Sequence, residues 1–197
     1  MMEYTLIAKS GKWLILKDDL EVLKISDETY FKFSLYEKGV IDSKEFEEIK
    51  NYQEYIDGKK IAFNSNIYKN KSKKQILFKL QEKGISNEVS EKILSEMLEK
   101  GQIDERDTIK RFVKDAVNLK FSSKKFLNLE LIKRGFERED VESILNGLEL
   151  CELTSIQKLL NKKNISSLSR EKKIKYLLRK GFGYYDIIQV IDNSMDI

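Results

Sequence analysis

The chain has 197 residues, 41% of them apolar and 36% charged, and a net charge of +4 from 37 Lys and Arg against 33 Asp and Glu. It holds no histidine, no proline and a single cysteine. That removes the commonest general base and metal ligand, every Ser-His or Cys-His pair, any stiff proline linker and any disulfide framework.

The N-terminal segment alternates. Met1-Met2-Glu3-Tyr4 opens without the basic start and apolar core of a secretory signal. Tyr4, Leu6 and Ala8, then Trp13-Leu14-Ile15-Leu16, then Leu20, Val22 and Ile25 predict a two- or three-stranded antiparallel ribbon with turns at Ser10-Gly11 and Asp18-Asp19. A ribbon of that size is marginal alone. Trp13 is therefore expected to pack between it and a helix that begins near Asp27, as a core residue with no ligand role. Ser26-Asp27-Glu28 is a good helix start, and helical spacing is expected to continue to Gly39. Asp42-Ser43-Lys44-Glu45 has the character of a capping box and opens a second helix, with Phe46 and Ile49 facing in. Residues 1–55 are thus expected to form an α/β cap.

From 56 onward the pattern is helical throughout. Nine helices in three sets are expected: 56–69, 72–83 and 87–100; 105–119, 123–134 and 138–149; 152–163, 170–180 and 184–193. The start signals are Ser72 with Gln75, Ser86-Asn87, Asp104, Ser122-Ser123, Ser169 with Lys172, and Gly183 before Tyr184. Residues 161–169 are polar, carry no helical stripe and predict a loop, and 194–197 predict a frayed end. Cys151 stands between Leu150 and Glu152 and is expected to be a buried structural thiol. No apolar run approaches the roughly 20 residues that cross a bilayer.

One pattern recurs. Gly39, Gly84, Gly135 and Gly181 each follow a basic residue, have Leu four places before them (Leu35, Leu80, Leu131, Leu177) and are followed by Val40, Ile85, Phe136 and Phe182. A basic last turn favours the negative end of the helix dipole, and glycine just beyond it can take the left-handed conformation that ends a helix. Apolar pairs lie nine and ten residues after three of these glycines: Ile93 and Leu94, Ile144 and Leu145, Val190 and Ile191. Gly39 lacks a good match of this kind. The glycines stand 45, 51 and 46 residues apart, a period that predicts stacked helical units sharing a continuous core. The fold expected is mostly α: tandem three-helix, helix-turn-helix-like repeats, elongated and curved, with a small N-terminal β-ribbon plus two helices. The divisions expected are a cap at 1–55 and repeats at 56–101, 102–150 and 151–197.

Charge is uneven along the chain. Residues 1–60 carry 10 basic against 13 acidic side chains, and 61–197 carry 27 against 20. Between 158 and 180 there are nine basic residues and one acid, Glu171, a density that seeks phosphates or an acidic protein groove. Smaller basic clusters lie where the first two repeats begin. The candidate contacts are Lys69, Lys71, Arg111, Lys114, Lys124, Lys125, Lys162, Lys163, Arg170, Lys172, Lys173, Lys175 and Arg179. No Gly-rich phosphate loop or paired-carboxylate motif is present, so neither catalysis, nor a cofactor, nor a metal is expected.

These residues resemble the RecX family, small bacterial proteins that bind the RecA recombinase and restrain its filament on single-stranded DNA. The similarity is best over 153–192, where Lys162-Lys163, a basic helix and Tyr176-Leu177-x-Arg179-x-Gly181-Phe182 match the family's closing signature. Ser72 with KLQEKGI, and 98–105 leading to Phe112-Val113, resemble the first repeat and the acidic turn that follows it. Ser122-Ser123 stands where the family usually has Gly-Pro, so the middle unit could enter its helix differently. The resemblance implies a cytoplasmic, non-enzymatic regulator, expected to be a monomer. It would bind the RecA filament, reach single-stranded DNA through it or weakly alone, and lower filament growth, ATPase, strand exchange and co-protease activity. The alternative is a helix-turn-helix-like transcriptional regulator. It would want Arg, Asn and Gln on its reading helix, whereas the candidate second helices are acidic or apolar.

Overall fold

The structure, a computed structural model, describes residues 3–9, 12–18, 20–68, 70–148 and 151–193. The chain forms two compact units, Met1–Ser65 with Leu77–Glu96, and Asn66–Ile76 with Met97–Ile197.

In the first unit β1 (Glu3–Lys9), β2 (Lys12–Lys17) and β3 (Leu20–Ile25) are antiparallel, as their alternation predicts, and β4 (Val40–Asp42) extends the sheet to the order β3-β2-β1-β4. The turn residues Ser10, Gly11 and Asp19 lie outside the described residues, while Asp18 takes a positive φ of 51°. Helix α1 is short, Asp27–Lys32, and is capped by the Ser26 hydroxyl at the Thr29 N–H. It does not run to Gly39. Ser34 turns left-handed at φ 48°, a 3-10 turn follows over Leu35–Glu37, and Val40, Ile41 and Asp42 pair with β1. Gly39 therefore precedes an edge strand and ends no helix. A run this short cannot signal its pairing, because the partner strand lies 35 residues upstream in sequence.

Trp13 packs where expected: its ring stacks on Tyr30 of α1 at 3.7 Å and its Nε1–H donates to Asp27 Oδ1 at 2.9 Å. Tyr4 stacks on Phe46 across the same core, which also holds Ile15, Leu35, Ile41 and Ile49. Helix α2 (Ser43–Ser65) is continuous, so the expected break near residue 55 is absent. Its glycine, Gly58, leaves the helix unbroken and serves packing. A Cβ there would stand 2.6 Å from Ile93 Cδ1 and 3.4 Å from Ile85 Cγ2, so its absence lets helix α4 (Asn87–Glu99) come close.

Helix α3 (Lys73–Glu82) opens with a full capping box, Gln75 N–H to Ser72 Oγ at 3.2 Å and Ser72 N–H to Gln75 Oε1 at 3.1 Å. In the second unit α5 (Glu105–Lys120), α6 (Lys124–Lys133) and α7 (Arg138–Asn146) enclose one core of Ile109, Val113, Leu127, Leu131, Phe136, Val141 and Ile144. Helices α8 (Glu152–Leu160), α9 (Lys163–Ser166), α10 (Arg170–Arg179) and α11 (Tyr184–Asn193) enclose another, around Ile156, Leu159, Leu177, Phe182, Ile187 and Ile191. The stretch expected to be a loop at 161–169 contains the single turn α9, whose Ile165 is buried. Residues 194–197, expected to fray, lie outside the described residues.

The three glycines behave as the repeat predicts. Gly84, Gly135 and Gly181 follow the ends of α3, α6 and α10 with φ of 81°, 85° and 87°, a region in which only glycine is free of a Cβ clash. The apolar residue after each closes the cap, its N–H bonding the carbonyl of Leu80, Leu131 or Leu177. Cys151 is exposed, contrary to expectation. It precedes α8 and accepts a hydrogen bond from Thr154 Oγ1 at 3.2 Å, which lowers its thiol pKa.

Candidate binding surface

Helix α10 carries the densest charge. Leu177 is fully buried, and Ile174 and Tyr176 lean on the same core. That fixes the helix so that Arg170, Lys172, Lys175 and Arg179 face solvent while Lys173 is half-buried. Leu178 is 44% exposed, because the buried stripe turns toward Tyr176 instead. Arg170 is tethered to the last turn of α11 by a 2.8 Å bond to Asp192 Oδ1. That pairing raises the arginine's pKa and holds it in its charged form.

Next to this helix, Phe121 organises two more cations. It ends α5 in the left-handed conformation at φ 52°, a position glycine usually takes, and its ring packs against the α8–α11 core. Lys158 Nζ and Lys162 Nζ sit 5.5 and 5.1 Å from the ring centroid, within cation–π range. Lys163 is exposed as the first residue of α9. Lys125 is exposed and Lys124 half-buried at the start of α6.

The middle repeat supplies a second patch. Arg111 and Lys114 of α5 line a concavity of about 450 Å³ with Tyr68, Phe112 and Arg134. Lys114 also borders, with Arg106 and Lys110, a groove of about 510 Å³ floored by Val113, Val117, Ile144 and Leu148. Arg111 is held by Asp107 at 2.8 Å, and Arg134 lies over Phe112 at 4.3 Å. Lys71 is half-buried and Lys69 lies outside the described residues. The neighbouring Lys73 and Lys74 pair with Glu105 and Glu137 at 3.2 and 3.0 Å, so part of the basic cluster at the start of α3 serves internal joints. The structure thus brings the α10 residues onto one helix and Arg111 and Lys114 onto another.

Exposed aromatics beside these cations escaped the sequence reasoning. Tyr185 is 89% exposed, Tyr68 80% and Tyr184 55%. Two adjacent tyrosines at a helix start cannot both face a core, so the Tyr184-Tyr185 pair was the available signal. The entrance to α6 is settled by Ser123, whose hydroxyl accepts from the Phe126 N–H at 3.1 Å. Two serines in place of Gly-Pro therefore start the middle helix as Ser72 starts α3. Among the described residues no cluster of three or more His, Cys, Asp or Glu is placed to hold a metal, and no helix is long and apolar enough to cross a membrane.

Fold and surface together define a tandem helical-repeat protein with a small N-terminal sheet and a basic final repeat. No family model matches the chain. "Regulatory protein RecX" of Caldanaerobacter subterraneus subsp. tengcongensis is 28% identical over 186 residues, 93% of this chain and 94% of that protein. Its namesakes in Finegoldia magna and Clostridium botulinum are 26% and 25% identical, covering 89% and 92% of this chain and 90% and 89% of their own lengths. Among solved structures, a regulatory protein RecX superimposes with a TM-score of 0.67 at 18% identity, over 96% of this chain and 99% of that one. RecX from Lactobacillus salivarius gives 0.64 at 22%, over 73% and 98%. The chain is a homologue of the RecX regulatory proteins and shares their fold.

Proposed function

We propose that this chain regulates a RecA-type recombinase, catalysing nothing itself, by binding the recombinase filament on single-stranded DNA in the cytoplasm. Its cations reach acidic protein surface and DNA phosphate together. Occupying the filament in this way limits its growth and lowers its ATPase, strand exchange and co-protease activity. At low concentration the chain acts as a monomer.

The observation that carries this reading is α10, which turns Arg170, Lys172, Lys175 and Arg179 to solvent in a repeat otherwise bound by an apolar core. Exposed cations at that density favour polyanions. The carboxylates of Glu171 and Asp192 are the acids on α10 and at the end of α11, and Asp192 is already engaged with Arg170. Exposed Tyr184 and Tyr185 beside this helix offer rings on which bases stack, a contribution of about 1–3 kcal/mol per base in single-strand binders. The test is ATP hydrolysis by the host recombinase on single-stranded DNA, measured as purified chain is added. A rate that falls with saturation supports the reading; an unchanged rate at a large excess of chain removes it.

A further inference from the structure

Two joints inside the second unit are built alike, each from a donor half and an acceptor half. The donor half is a serine that caps a helix, together with the backbone N–H after it. The acceptor half is a helix-end carbonyl just before a left-handed glycine, with a glutamate beside it. Ser72 Oγ donates to the Arg134 carbonyl at 2.7 Å while Lys73 N–H donates to Glu105 Oε1 at 2.9 Å. Ser123 Oγ donates to the Lys180 carbonyl at 2.8 Å while Lys124 N–H donates to Glu152 Oε1 at 2.7 Å. The glycines leave room for the serines. A Cβ on Gly135 would lie 3.3 Å from Ser72 Oγ, and one on Gly181 would lie 2.7 Å from Ser123 Oγ.

The chain carries one more of each half, and neither is filled. Ser169 caps α10 in the same extended conformation as Ser123 (φ −60°, ψ 155° against φ −75°, ψ 158°), but its hydroxyl makes no cap hydrogen bond. It is exposed, whereas Ser72 and Ser123 are fully buried. At the other half, Gly84 ends α3 at φ 81° with nothing within 4 Å of where a Cβ would stand. Its glutamate is in place too. Glu54 precedes Gly84 by 30 residues, as Glu105 precedes Gly135, and its carboxylate accepts from the Ser86 N–H at 2.5 Å, two residues past the glycine.

We propose that these two unfilled halves bind each other between copies of this chain: the Ser169 hydroxyl donates to the Lys83 carbonyl of a second copy, and the Arg170 N–H to that copy's Glu54. The contact is heterologous, since each copy offers one donor half and one acceptor half, so association continues beyond a dimer into short head-to-tail chains. So small a contact is weak between free molecules. It strengthens where copies are already held in line on a common track, because the second contact is then intramolecular. The inference uses only the internal joints and holds whatever that track is.

Sedimentation equilibrium of the full chain, at loadings up to about 1 mM where weak contacts populate, tests it with two variants. Ser169→Arg blocks the donor half at an exposed position. Gly84→Asn blocks the acceptor half with a residue that accepts left-handed backbone. The wild type is expected to show an average mass that climbs with concentration, and each variant alone to stay monomeric. Their equimolar mixture is expected to form a 1:1 dimer and nothing larger, because each supplies the half the other has lost. A wild type that stays monomeric at the highest loading overturns the proposal, as does a Ser169→Arg chain that associates like wild type. Should Gly84→Asn lose its thermal melt, Ser169→Arg alone decides between these outcomes.

Discussion

The hydroxyl of Ser72 reaches the carbonyl oxygen of Arg134, 2.7 Å away and 62 residues further along the chain. Ser72 Oγ in turn accepts the Gln75 N–H that starts α3, so one side-chain atom both begins a helix and ties it to the end of another. Ser123 does both for α6 and Lys180.

Replacing Ser123 by Ala removes a cap and leaves the Lys180 carbonyl facing a void in a fully buried site. A loss of about 2–3 kcal/mol is expected from the combined cap and buried hydrogen bond, read from urea unfolding. Ser169→Ala, at an exposed serine with no cap bond, should stay within about 0.5 kcal/mol. Equal losses would show that the joint contributes nothing.

Glycine substitutions should rank by what surrounds them. Gly84→Ala meets only left-handed strain, about 1–2 kcal/mol. Gly181→Ala adds a collision with Ser123 Oγ at 2.7 Å, and Gly135→Ala one with Lys74 Cβ at 2.9 Å, so both should melt at clearly lower temperature than Gly84→Ala. A Gly84 variant as damaged as Gly181→Ala would contradict the close approach.

Reversing Arg170, Lys172, Lys173 and Lys175 to Glu should spare helicity, because three of the four face solvent and Leu177 keeps its buried place. Binding to single-stranded DNA or to the filament should fall sharply, with the logarithmic salt slope shrinking by up to about 0.7 per lost phosphate contact. Unchanged affinity and slope in a folded variant would make the row an ordinary solvated face.

Trp13 is the chain's one tryptophan, so its fluorescence reports the first unit alone. Stacked on Tyr30, it should emit to the blue of water-exposed indole and shift red as that unit melts. Emission of a fully hydrated indole in the native state would contradict the stacking.

Tyr55 gives the fold an alkaline limit. Burial first, then the hydrogen bond to Glu96 at 2.6–2.7 Å, pushes its pKa from 10.0 up to about 12. A pKa raised by folding stabilises fully below the unfolded value, and the contribution is lost as pH climbs from 10 to about 12. The stability of the wild type should therefore decline across that window more steeply than that of Tyr55→Phe, measured by denaturant unfolding at each pH. Parallel curves would exclude the effect.

The helices of the second unit and their ends were legible because their causes are local: a capping serine or aspartate acts within three residues, and a left-handed glycine within one turn. The resemblance of 153–192 to RecX proteins was legible for the same reason, since its signature lies in one continuous stretch. β4 and the early end of α1 were not, because pairing with β1 and the turn at Ser34 depend on residues distant in sequence. The basic density of 158–180 could be counted from the sequence, but its outward set could not. Leu178 took the exposed place and Lys173 the half-buried one once Tyr176 leaned on the core.

What the sequence determined by itself is therefore the repeat, its period and its charge, since each follows from the order of residues along one helix. What the tertiary structure decided is the meaning of the serines and glycines. Ser72, Ser123 and Ser169 each read as helix starts, and Gly84 reads identically to Gly135 and Gly181 as a helix end. Only the stacking of one repeat on the next fills some of these positions and leaves others open. A hydrogen bond between residues some sixty apart has no local pattern to announce it.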